Sequence, residues 1–206
     1  LERQTDWSRF RVDSISLPTF LKRNVIHASL LREVLSRPGP VLEVGVGSGA
    51  QSALLSRWRR TVAVDNDLRI TRAALPNLRR FGKGVEVVLG DAFLLPFPDD
   101  SFGVACSQGL MEHFDDEAIG ALLREQLRVC RSVVFSVPSD RYPRQDVGDE
   151  RLMPPGDWER LLKLAIGADY AVAARYYPLD LEALKYSVLA RRRLGSFSVL
   201  VAIDRA

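Results

Sequence analysis

A chain of 206 residues, 47% hydrophobic and 27% charged, has enough apolar mass for one buried core, and that composition excludes a disordered or fibrous protein. No run approaches the roughly 18 consecutive apolar residues of a membrane span, and Leu1-Glu2-Arg3-Gln4-Thr5-Asp6 lacks a signal peptide's apolar core, so one cytoplasmic domain over residues 1–206 is expected. The net charge is only +3 although Arg supplies 25 of the 29 basic residues, and the Arg clusters at 57–60, 79–80 and 191–193 read as solvated surface rather than a nucleic-acid footprint.

In chain order, residues 1–37 read as a mostly helical lead-in, with Val25, Ile26, Leu30, Leu31, Val34 and Leu35 on one helix face and Pro38-Gly39-Pro40 as the stop. Apolar, β-branched runs at 41–44, 61–64, 85–89, 102–106, 132–137, 170–176 and 197–203 then alternate with helical patterns at 50–59, 68–79, 116–130, 157–166 and 179–190. That alternation predicts an α/β protein, a Rossmann-like sheet covered by helices on both faces. The Arg clusters at 57–60 and 79–80 close two of these helices, where cations suit the macrodipole. Residues 138–158, rich in Pro, Gly and charge, read as a long loop, either at the sheet's carboxyl edge where such folds make substrate contacts or as a mobile surface insert. Cys106 and Cys130 lie in apolar runs without the paired spacing of a zinc site and read as buried free thiols.

Three segments carry chemistry. Val41-Leu42-Glu43-Val44-Gly45-Val46-Gly47-Ser48-Gly49 is a strand entering a glycine-rich turn ahead of a helix, a geometry that lets backbone approach a ligand. Its glycines also satisfy a dinucleotide fingerprint, with Ala50 in the third position, and so leave the cofactor open. Val62-Ala63-Val64-Asp65 ends in a carboxylate placed to accept from ribose hydroxyls, or else to cap the next helix, a task Asp67 also suits. The third segment, Leu89-Gly90-Asp91-Ala92, is followed by Leu94-Leu95-Pro96-Phe97-Pro98-Asp99-Asp100-Ser101-Phe102, and it separates the cofactor readings.

Segments 41–49, 61–65, 89–102 and 104–114 together resemble, in order and spacing, the class I S-adenosylmethionine-dependent methyltransferases of the small-molecule-type branch. The resemblance implies a seven-stranded, mostly parallel sheet with the last strand antiparallel, and S-adenosyl-L-methionine as cofactor, leaving as S-adenosyl-L-homocysteine. It implies that Gly45, Val46, Gly47 and Gly49 pass under the methionine part, that Glu43 supports the turn, and that Asp65 holds the ribose. Asp91 and the Ala92 N–H would meet the adenine edge, Asn66 and Phe93 its faces, and Gln108 would touch the cofactor near its sulfonium. Asn66 stands where family members often carry an aliphatic residue.

Ser107-Gln108-Gly109-Leu110-Met111-Glu112-His113-Phe114 resembles the stretch beside the methyl acceptor, where His113 suits either proton acceptance or a packing role. Methyl transfer by in-line displacement requires no metal, and neither His27 nor His113 shows ligand spacing in the sequence. Trp7, Phe10, Phe20, His27, Tyr142, Arg144, Arg151 and Trp158 are candidates for the acceptor wall. A small-molecule acceptor is expected, since the chain lacks the Asn/Asp-Pro-Pro-aromatic motif of nucleic-acid amino methylases. The competing readings are a nicotinamide-dependent oxidoreductase, opposed by the absence of a tyrosine followed four positions later by lysine, and a non-catalytic module that binds the same cofactor.

Overall fold

The computed structural model describes residues 12–143, 148–178, 183 and 195–205. Helix α1 (Leu17–Ile26) opens where Ser16 accepts from the Thr19 N–H at 3.3 Å with proline in the first turn, and α2 (Ala28–Leu35) follows directly. The expected single face across Val25–Leu35 is therefore corrected. His27 leaves helical geometry (φ −95°, ψ 20°), the phase shifts there, and Val25 is left 52% exposed while Leu30, Leu31 and Val34 are buried.

Strands β1 (Val41–Val44), β2 (Thr61–Asp65), β3 (Glu86–Leu89), β4 (Phe102–Gln108), β5 (Cys130–Pro138), β6 (Tyr170–Tyr176) and β7 (Ser198–Arg205) form one sheet in the order β3-β2-β1-β4-β5-β7-β6. Parallel pairing runs through β3, β2, β1, β4 and β5, and β7 runs antiparallel to both β5 and β6, as the resemblance implied. Helices α3 (Ala50–Leu55), α4 (Leu68–Phe81), α5 (Asp116–Val129) and α6 (Pro155–Ile166), with a 3₁₀ turn at Met111–His113, complete the described elements. β1 and β4 are buried nearly end to end because helices cover both faces, which is why their sequences read as continuous apolar runs instead of alternating.

Three expectations change. α3 stops at Leu55, because Arg57 and Trp58 donate to carbonyls three residues back and tighten the end into a turn. The loop after β5 ends at Pro155, since α6 begins there with proline in its first turn. Trp158 belongs to the core, fully buried and edge-on to Phe135 at 5.7 Å, and Phe20 stacks on Phe81 at 4.4 Å, so neither walls a pocket. Cys106 and Cys130 are buried free thiols. The expected helix at 179–190 falls, Ala183 apart, outside the described residues, as do Trp7, Phe10, Arg144 and the cluster at 191–193. Among the described residues no helix is long and apolar enough to cross a membrane.

Candidate cofactor cleft

The strand order reverses between β1 and β4, and the crevice this leaves lies at the carboxyl ends of the parallel strands. Two adjoining cavities, each of about 280 Å³, meet there across Gly45, Gly47 and Gln108. The first is lined by Asp65, Asn66 and Ile70 from β2 and α4, by Asp91, Ala92 and Phe93 after β3, and by Leu110 and Phe114 after β4. The second is lined by Glu43, Val46, Gln51, Arg23 and His27.

The turn between them fits an extended ligand. A Cβ on Gly47 (φ 48°) would meet nothing within 4 Å, so open space lies over the backbone where a ligand would rest. Gly49 does different work. It lines neither cavity, and a Cβ there would come within 2.8 Å of Leu78, so its smallness lets α3 and α4 close up beneath the turn.

Asp65 accepts from the Asp67 N–H at 3.0 Å; burial raises its carboxyl above the usual range, and the backbone N–H groups of Asp67, Gly47 and Val46 partly oppose the rise. Asp91 accepts from the Phe93 N–H at 2.9 Å, which turns the chain so that Ala92 and Phe93 face the cavity, where Phe93 meets Phe114 edge-on at 5.6 Å. The Leu95–Asp99 segment is anchored from α5. The Arg128 guanidinium donates to the Leu95 and Phe97 carbonyls at 3.0 and 2.9 Å and pairs with Asp99 at 2.6 Å, while Glu125 accepts from the Leu95 N–H. Most of that proline-containing motif thus acts as a brace for Asp91 to Phe93.

Glu43 is almost completely buried and accepts from both the N–H and the hydroxyl of Ser52. Burial pushes its carboxyl up to about 7, the Ser52 bonds oppose that, and the Asp65 charge adds to it. Between the ordinary value of 4.5 and about 7, the folded protein holds a proton that the unfolded chain has released. Stability therefore falls as pH rises through that window, by roughly 3 kcal/mol in total, and is flat above it. Glu43→Gln keeps an acceptor for Ser52 and is expected to remove the slope, raising the unfolding free energy at pH 8 relative to pH 5. Urea denaturation at the two pH values checks this, and an unchanged slope would assign the titration to another group.

Of the residues the sequence analysis singled out, Glu43, Gly45, Val46, Gly47, Asp65, Asn66, Asp91, Ala92, Phe93 and Gln108 all line the two cavities. His113 does not. It is buried in the 3₁₀ turn Met111–His113, with Nδ1 2.8 Å from Asp149 Oδ1. Folding also brings Asp149 and Glu150 beside it, a proximity that spacing along the sequence does not show. His27 reaches the cleft at the Glu43 end, whereas Arg151 pairs with Asp116 and donates to the Phe114 carbonyl, and Tyr142 packs edge-on against Phe197. Sequence reasoning missed Arg23, Gln51 and Ile70. Arg23 gives no local signal, but the latter two sit in the first turn of helices that follow the ligand-approaching strands.

Residues 41–132 match the family model described as a methyltransferase domain. Demethylmenaquinone methyltransferase of Roseiflexus castenholzii is 32% identical over 142 residues, covering 64% of this chain and 56% of that protein, so the chain spans about half the length of the curated relatives it matches. Among solved structures, the PH0226 protein of Pyrococcus horikoshii superposes with a TM-score of 0.71 at 19% identity, covering 98% of this chain and 99% of that one. Burkholderia thailandensis 1,6-didemethyltoxoflavin-N1-methyltransferase, solved with 1,6-didemethyltoxoflavin and S-adenosylhomocysteine bound, gives 0.61 at 19% identity over 92% of this chain and 77% of that one. At such identities the two structures establish the fold alone. With its β1 turn, its acidic residues after β2 and β3 and its 3-2-1-4-5-7-6 sheet, the chain shares the fold of that methyltransferase, and its residues 41–132 match a methyltransferase domain.

Proposed function

We propose that this protein transfers the methyl group of S-adenosyl-L-methionine to a small-molecule acceptor by in-line displacement, leaving S-adenosyl-L-homocysteine. The observation that carries the reading is the pair of cavities joined over the Gly45–Gly47 turn, with Asp65 and Asp91 on one side and Glu43 on the other. When bound, the cofactor supplies an activated methyl group on a positively charged sulfur.

The chain's own residues bind and orient. Asp65 accepts from the ribose hydroxyls, Asp91 and the Ala92 N–H take the adenine edge, and Ile70, Asn66 and Phe93 cover its faces. Glu43, Gln51 and Arg23 face the amino-acid end. Gln51 Oε1 is buried without a hydrogen-bond partner there and suits an ammonium donor. Gln108, shared by both cavities, sits at the junction, and Leu110 and Phe114 form an apolar wall that keeps water from the reacting atoms. The relative from Roseiflexus is named for a small-molecule acceptor, which supports an acceptor of that class here. No proton-accepting role is assigned to His113, which lies off the cavity lining. The described residues serve this function as one domain.

Calorimetric titration with S-adenosyl-L-methionine, S-adenosyl-L-homocysteine and NADH tests the reading. Micromolar binding of the first two is expected, with Asp91→Ala weakening both by roughly tenfold to a hundredfold, the worth of a hydrogen bond to a charged group. Binding of NADH alone would move the protein to the nicotinamide reading. Binding of the S-adenosyl compounds with no methyl transfer to any of a panel of quinol, phenol, carboxylate and amine acceptors would favour a non-catalytic module.

A further inference from the structure

Outside the cleft, the structure gathers a second set of ionisable side chains from two distant stretches of chain. The 3₁₀ turn Met111–His113 contributes Glu112 and His113, and the segment leading into α6 contributes Asp149 and Glu150. The two stretches are tied beside the cluster. The Arg151 N–H donates to the Glu112 carbonyl at 2.9 Å, and the Arg151 guanidinium donates to the Phe114 carbonyl at 3.1 Å.

One ligand atom from each of His113, Asp149 and Glu150 lies within 4.8 Å of the others, with His113 Nδ1 2.8 Å from Asp149 Oδ1. A second observation points the same way. Glu112 is 2% exposed, its Oε2 has no hydrogen-bond partner, and its Oε1 lies 4.0 Å from His113 Nε2, on the other side of the imidazole from Asp149. A buried carboxyl left unpaired is costly. Glu112, though at 4.0 Å still beyond hydrogen-bond distance, is placed so that a small rotation lets it accept from the Nε2–H that an ion on Nδ1 would fix there, the arrangement that orients a metal-ligating imidazole.

We propose that His113 Nδ1, Asp149 and Glu150 bind one divalent first-row transition ion of the Zn²⁺ class, with Glu112 orienting the imidazole from behind. An imidazole with carboxylates selects such an ion over Mg²⁺, which prefers oxygen alone, and over Cu⁺, which prefers sulfur. Ligands about 2.0 Å from a tetrahedral ion stand about 3.3 Å from one another. The His113–Asp149 pair therefore opens by about half an ångström and Glu150 moves in, adjustments that side-chain rotation on a loop can supply. The ion would fasten the loop after β5 to the turn between Leu110 and Phe114, both of which line the cleft, and so fix the wall on the acceptor side. Its role is to position that wall, and methyl transfer itself is left to the cofactor.

The test uses the full chain, dialysed against EDTA and then titrated with ZnCl₂ in a calorimeter and with CoCl₂ in a spectrophotometer. Expected are one equivalent of Zn²⁺ bound at micromolar affinity or tighter, visible Co²⁺ bands of a low-coordinate site that excess Zn²⁺ erases, and at least tenfold weaker Zn²⁺ binding in both Asp149→Asn and Glu150→Gln. Absence of stoichiometric binding by the unsubstituted protein overturns the proposal, whatever the variants do. So does binding of equal strength in an Asp149→Asn, Glu150→Gln double variant, which would place the ion elsewhere. Neither readout depends on methyl transfer, so the metal site stands or falls apart from the proposed activity.

Discussion

Asp65→Ala is expected to weaken binding of S-adenosyl-L-methionine and S-adenosyl-L-homocysteine by 100-fold to 1,000-fold, while leaving the apo protein at least as stable as the unsubstituted one. The affinity loss follows from the proposed role of Asp65, in which two ribose hydroxyls donate to its one carboxylate. Hydrogen bonds to a charged group contribute about 1.5–3 kcal/mol each, and the pair together exceeds what any single neutral contact in the cleft provides. The stability expectation comes from the same residue's environment. Burial raises the Asp65 carboxyl above its ordinary value, so keeping it charged costs the folded apo protein more than the unfolded chain, and its removal relieves that cost. Asp67, which accepts from the Arg69 N–H at 2.8 Å, already caps α4, so the helix start does not depend on Asp65. Calorimetric titration and thermal melting of the same preparation separate the two effects. A loss of affinity below fivefold would remove Asp65 from the binding site, and a large drop in melting temperature would make it a structural residue, as the helix-cap reading of the sequence allowed.

What was legible in the sequence was whatever a short window contains. β1, β2 and β4 announce themselves because strands buried on both faces are nearly unbroken apolar runs, β3 shows as a β-branched run at the sheet edge, and the residues at or just beyond their ends, Glu43 to Gly47, Asp65, Asp91 and Gln108, are carried to the cleft by strand geometry alone. What was not legible depends on partners far along the chain. Phe20 and Trp158 look like pocket aromatics in an amphipathic segment, yet Phe81 and Phe135 supply the surfaces that bury them. Arg23 reaches the cleft only because α1 packs against α3. Arg128 braces a motif about thirty positions earlier, and Asp149 meets His113 across 36 residues. The break at His27 is a subtler case, since both flanking segments keep helical composition and only the phase of burial betrays it. Periodicity reports which face of an element is covered. It is silent about what covers it.

Gly103→Ala is the substitution with the largest expected cost to folding, although in sequence Phe102-Gly103-Val104-Ala105-Cys106 is an ordinary strand with a small residue in it. A Cβ on Gly103 would sit 1.9 Å from the Pro38 carbonyl oxygen and 3.0 Å from Gly39 Cα, so the clash is with backbone and no side-chain rotation relieves it. Gly39 is the matching half, since at φ 95° its own Cβ would stand 3.0 Å from Gly103 Cα. The two glycines let the Pro38–Pro40 turn tuck under the start of β4, where the Gly103 N–H donates to the Pro40 carbonyl at 2.9 Å and the next residues enter the Val41–Val104 register. Forcing them apart disturbs the pairing of β1 with β4, the central pair of the sheet and the floor of the cleft. A loss of about 3 kcal/mol is expected, at the upper end for overpacking, which lowers the melting temperature by about 6–12 °C in a chain of this size. Two other glycines calibrate the measurement. Gly84 has positive φ but open space around it, so Gly84→Ala costs only the left-handed strain of about 1–2 kcal/mol. Gly156 lies in the first turn of α6 with neither constraint, so Gly156→Ala is stabilising by up to about 1 kcal/mol. Urea denaturation of the three variants should rank them in that order, and if Gly103→Ala costs no more than Gly84→Ala, the approach of turn and strand is not what fixes the register of β1 on β4.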